Sequence, residues 1–132
     1  MRQITKDIQI TIDGNRTGFR LTRLDAFSGV TLLRLLMRQE GKNDHPTILD
    51  LIASLSENEL RSVMTAVFNH ISVLLPAGPN PVMTGPEWGY PELEHDTSSC
   101  MKLLLEGIAW SLSGFFGGGR LKQVAAPVDT AR

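Results

Sequence analysis

DTSSCMKLLLEGIAWSLSGFFGGG, residues 96–119, is the stretch whose reading decides the fold. Counted from Cys100, a ladder at i, i+3 and i+4 spacing collects Leu103, Leu104, Ile108, Leu112 and Phe115. A second ladder of Met101, Leu105, Ala109 and Phe116 runs beside it, and Trp110 adds a large ring. Only Lys102, Glu106 and Ser113 make a polar stripe. A helix apolar around most of its circumference must be enclosed by its own domain or by a partner. The Gly117-Gly118-Gly119 run then ends it as a C-terminal cap followed by a linker. The glycines follow a helix instead of opening one, which excludes a phosphate-cradling loop.

Outward from this helix, Ile4, Ile8, Ile10 and Ile12 alternate with polar residues, the period of a strand with one buried face. Asp13-Gly14-Asn15 tolerates positive φ, and residues 17–23 return as a second strand with Phe19 and Leu21 inward. Two strands are marginal alone, so this hairpin needs helices or another strand against it. Asp25 caps a helix to about Gln39, whose expected apolar face is Phe27, Val30, Leu33, Leu36 and Met37. A short helix follows over about residues 46–54. Ser56 and Glu59 form a capping box, with Leu55 and Leu60 at the staple positions. From there Leu60, Val63, Met64, Val67, Ile71 and Leu74 predict one helical face that Pro76 stops. Residues 76–95 hold five of the seven prolines and read as a long functional loop without regular structure.

The fold class is therefore α+β: an N-terminal β-hairpin packed with about four helices, helix exceeding strand by at least two to one. Residues 1–116 form one domain, and residues 117–132 form a C-terminal tail expected to be flexible.

Composition narrows the function. Hydrophobic content of 42% and charged content of 20% fit an ordinary globular chain. The net charge of −1 argues against nucleic acid as main partner, although it is unevenly spread: +3 over residues 1–41, −6 over 42–96 and +2 over 97–132. Such a layout favours head-to-tail association where it is not simply solvated. Cys100 is the one cysteine, which fits a reducing compartment. The first residues lack the apolar run of a signal peptide, and no stretch approaches the ~20 apolar residues of a membrane span.

Candidate chemistry is thin. Glu92, Glu94, His95 and Asp96 are competent metal ligands without the spacing of a metal site, and a solvated acidic loop that caps the next helix explains them better. Cys100 lies near a helix start with His95 five residues before it, yet its place on the apolar ladder marks a core thiol. Arg16, Arg20, Arg23, Arg34 and Arg38 lack the aromatic platform of a nucleic-acid surface. No catalytic residue, cofactor or metal is expected. Trp88 and Tyr90, aromatic residues on a loop, are the leading partner-binding candidates. Met83, Met37, Trp110, Phe115 and Phe116 complete the set, and for Trp88 folding back onto the core is an equal reading.

The order of elements and several phrases resemble the tail assembly chaperones of long-tailed bacteriophages. The phrases are Ile10-Thr11-Ile12-Asp13-Gly14 leading to Leu24-Asp25-Ala26, then Leu74-Leu75-Pro76-Ala77-Gly78. Next come Trp88-Gly89-Tyr90-Pro91-Glu92-Leu93 and Trp110-Ser111-Leu112-Ser113-Gly114-Phe115-Phe116. Together they span about residues 4–116. The resemblance implies a small non-enzymatic protein of the host cell cytoplasm, absent from the mature virion. It would bind the long, helix-rich tape measure protein, keep it soluble and help recruit the tail tube protein. It also implies that a frameshift could append a further domain near residues 117–132. Self-association into a homo-oligomer is expected from the apolar last helix and the hairpin edge. A structural neck or tail completion protein of the virion, or a small enzyme, are the alternatives. The client expected is an extended amphipathic helical protein, held more by apolar contact than by charge.

Overall fold

Ile12 and Asn15 close the first hairpin around Asp13 and Gly14, both in the left-handed region at φ 52° and 80°. That is the two-residue turn whose twist suits antiparallel strands, and Asp-Gly is its preferred filling. The computed structural model of the chain describes residues 4–40 and 47–113. Within them, strands β1 (Thr5–Ile12) and β2 (Asn15–Thr22) pair along their full length. Helices α1 (Ala26–Glu40), α2 (Ile48–Ala53) and α3 (Glu57–Phe68) follow. Next come β3 (Ile71–Leu75), β4 (Gly78–Pro81), the small pair β5 (Met83–Thr84) and β6 (Glu87–Trp88), α4 (Pro91–Glu94) and α5 (Thr97–Ser111). The main sheet is antiparallel in the order β1-β2-β3-β4.

The α+β class, with its N-terminal hairpin and excess of helix, is as the sequence indicates. Helix takes about 50% and strand about 28% of the described residues, short of two to one. The shortfall has two causes, an unexpected β3 and the strands β4, β5 and β6 in a segment read as loop. Residues 71–75 continue the helical ladder of α3 on paper, but they form β3, and the helix ends at Asn69. Ile71 and Val73 point into the core while Ser72 does not, so the period is two from this point. Phe19 pairs with Val73 and Leu21 with Ile71, so the hairpin gains its needed third strand from its own chain.

Residues 76–95 are ordered too, not the irregular loop expected. Pro76 and Ala77 turn the chain into β4, where Pro79 and Pro81 sit on the sheet edge, the one place in a sheet that tolerates them. Asn69 then ties α3 to the β5–β6 turn: its side chain donates to Gly85 O at 3.1 Å and accepts from Gly85 N at 2.8 Å.

The core lies between the sheet and the helices. Ile10, Ile12, Phe19, Leu21, Ile71 and Val73 face Leu103, Leu104 and Ile108 of α5, with Val67 and Phe68 of α3 beside them. Gly107 lets α5 close on α3, since a Cβ there would lie 2.6 Å from Val67 Cγ1. The apolar last helix is therefore enclosed by its own chain. The opposite sheet face is polar, crossed by an Arg20–Asp7 ion pair at 2.8 Å and by Arg16 donating to Gln9 at 2.7 Å. Ile4, expected on the buried face, is 59% exposed. What is held there is its carbonyl, which accepts from Arg23 N at 3.0 Å and Trp110 Nε1 at 3.1 Å.

Candidate partner-binding surface

Helix α1 starts as the sequence predicts, with Asp25 accepting from Ser28 N at 3.2 Å. Its rotation differs from the expected one. Leu32 and Leu36 are buried and Leu33 and Leu35 partly so, whereas Phe27 is 89%, Val30 56% and Met37 44% exposed. Both readings of the helix satisfy a 3.6 period, because it carries apolar residues on two sides. The tertiary structure uses the Leu32/Leu36 side and leaves the Phe27/Val30/Met37 side in solvent. These three residues, with Arg34, follow i, i+3, i+7, i+10 spacing and form one stripe.

Beside the stripe, α1 and α3 enclose a groove of about 210 Å³. Phe27, Thr31 and Leu35 form one wall, and Ser62, Val63 and Ala66 the other. Surface apolar residues are ordinary singly, but a contiguous set on one helix next to an apolar groove is a candidate contact surface.

The other candidates are placed differently. Trp88 lies against Phe68, ring centroids 5.8 Å apart, and Tyr90 meets Phe19 edge-on at 6.1 Å. Burial pushes the Tyr90 phenol up, with Glu92 adding to it. Met83 is buried in the core. Trp110 acts as a staple: the Arg23 guanidinium stacks 4.1 Å above its ring and also donates to its carbonyl at 2.8 Å. Trp88, Tyr90, Met83 and Trp110 thus hold the fold together, and of the described candidates Met37 alone belongs to the exposed stripe. Phe115, Phe116 and the 117–132 tail lie outside the described residues. Phe27 and Val30, placed by sequence in the core, are the surface residues that periodicity missed.

The arginines are dispersed. Arg16 and Arg20 are engaged across the outer sheet face, Arg23 is on Trp110, and Arg38 pairs with Glu59. Arg34 makes no ion pair among the described residues and stands inside the α1 stripe.

Asp96 caps α5, accepting from Ser99 N at 3.1 Å and Ser99 Oγ at 2.9 Å, and these bonds lower its pKa. Among the described residues no three His, Cys, Asp or Glu side chains come together. Cys100 donates to Leu93 O at 3.0 Å, and burial, then the Asp96 charge, pushes its thiol up to about 11. That is the reverse of what an attacking thiolate needs. No helix of the described residues is long and apolar enough to cross a membrane. No protein-family model, curated protein or solved structure matches the chain.

Proposed function

We propose that this chain is a non-enzymatic tail assembly chaperone of a long-tailed bacteriophage. It holds the tape measure protein soluble in the host cell cytoplasm and assists recruitment of the tail tube protein. The observation that carries this reading is the exposed apolar stripe of α1, Phe27, Val30 and Met37, on a chain whose other large apolar residues mostly serve its own core. A folded protein that leaves a Phe 89% exposed on a capped helix has a surface shaped for contact with something apolar. The sequence resemblance supplies the identity of that contact, a long helix-rich client.

Homo-oligomer formation belongs to the same proposal. The outer edge of β1 pairs with no strand among the described residues, and such an edge can accept a strand of a second copy.

Co-expression with the tape measure protein of a long-tailed phage tests the role. The client becomes soluble and co-purifies with this chain through moderate salt. A client that stays insoluble, together with this chain appearing in purified virions, would transfer the assignment to a neck or tail completion protein.

A further inference from the structure

We infer that the α1 stripe takes an acidic amphipathic helix, with Phe27, Val30 and Met37 supplying apolar contact and Arg34 reading a carboxylate on the incoming helix. The inference rests on the chaperone reading for its biological client, but its physical content is separate.

The stripe spans eleven residues from Phe27 to Met37, a rise of ~15 Å along a helix axis, which matches about three turns of a partner helix. Its 3-4-3 spacing is the seam spacing of paired helices, where side chains of one helix enter gaps between side chains of the other. Groove-bound helices use the same i, i+3, i+7 anchors. The groove between α1 and α3 beside Phe27 gives the partner's largest apolar residue a place to enter.

Charge selects the occupant. Arg34 lies in the middle of the stripe with no ion pair among the described residues, Arg38 one turn later is held by Glu59 of α3, and Glu40, the helix's last residue, is its only carboxylate. Asp25, just before the helix, is turned to His70, with 3.8 Å between Oδ1 and Nε2. A second copy packed α1 against α1 would bring two Arg34 groups onto one seam with no carboxylate between them, which is repulsive. A helix with a Glu or Asp in its apolar seam meets Arg34 instead. Apolar burial provides the affinity, while the guanidinium–carboxylate pair sets the register and rejects basic helices.

Two dye-labelled amphipathic helical peptides test this by fluorescence anisotropy against the full chain. They share a leucine seam, one with Glu and the other with Lys at its centre. The Glu peptide binds about tenfold tighter than the Lys peptide, and Arg34→Glu inverts the order. Phe27→Ser with Val30→Ser abolishes binding of both while the circular dichroism spectrum is unchanged. Equal affinity for the two peptides in both wild type and Arg34→Glu overturns the inference, as does full binding by the Phe27→Ser, Val30→Ser variant. A wild-type dimer that this double variant dissolves would make a second copy the occupant. A more than tenfold gain in peptide affinity on Phe115→Ser with Phe116→Ser would make the chain's own C-terminal segment the occupant. Either result overturns the inference. If the peptides behave as described but the tape measure protein stays insoluble, the surface stands and the phage role falls. Capture of that client undiminished by the α1 substitutions leaves the role and overturns the surface.

Discussion

Gly107 shows how one residue fixes the packing of two helices. A Cβ at this position meets Val67 Cγ1 at 2.6 Å and Ile71 Cδ1 at 3.4 Å, both in the core. Val67 is β-branched and fully packed, so it cannot swing aside cheaply. Gly107→Ala is expected to lower stability by about 1–3 kcal/mol as overpacking, despite the better helix propensity of alanine, and urea unfolding measures it. Cys100 makes a second prediction at this scale. Its folded pKa, about 11, lies above the ordinary thiol value of 9.0. The folded state therefore keeps its proton where the unfolded chain has lost it. This contribution is fully present below pH 9 and is lost as pH rises through about 11. Cys100→Ala flattens that part of the curve of urea midpoint against pH. Alkylation of the native thiol by iodoacetamide at pH 7.5 is slow, and it accelerates on unfolding.

At the scale of elements, capping chemistry was the most legible signal in the chain. Thr47 and Asp50, and Ser56 and Glu59, form reciprocal capping boxes in the structure. Of these, the Ser56–Glu59 pair announces its helix start without knowledge of anything distant. Ser56→Ala is expected to cost about 1 kcal/mol, read by thermal unfolding. The hairpin was equally legible, because its turn and its alternation are local. The far end of α3 was not. Ile71 and Leu74 fit the helical ladder as well as Ile71 and Val73 fit a strand, and the choice is made by β2, fifty residues earlier. The β-branched Ile71 and Val73 after Asn69-His70 are the one local hint. Helix α1 fails differently. Its apolar residues lie on two sides, so periodicity identifies the helix but cannot say which side α2 and α3 will cover. Stability separates the sides. Phe27→Ser changes it by no more than about 0.5 kcal/mol, whereas Leu36→Ala on the buried side costs about 2–5 kcal/mol.

The whole molecule resolves what the apolar last helix demands. α5 is covered by the sheet and α3, and Trp88 and Tyr90 seal the far side of the core against Phe68 and Phe19. The exposed apolar surface is therefore not where aromatic content suggests. It is on α1, made of residues that a reading of the helix alone assigns to the core. Aromatic residues in a proline-rich segment look like loop anchors until the third and fourth strands bring that segment back to the centre. The measurement that tests this most directly is the amount of tape measure protein that co-purifies per mole of folded chain, compared between Phe27→Ser with Val30→Ser and Trp88→Ala. The account predicts that the α1 variant keeps wild-type helix content and stability but loses the client. Trp88→Ala loses stability, yet captures the client normally for each folded molecule. Normal capture by the α1 variant, with capture lost in a fully folded Trp88→Ala, would contradict it.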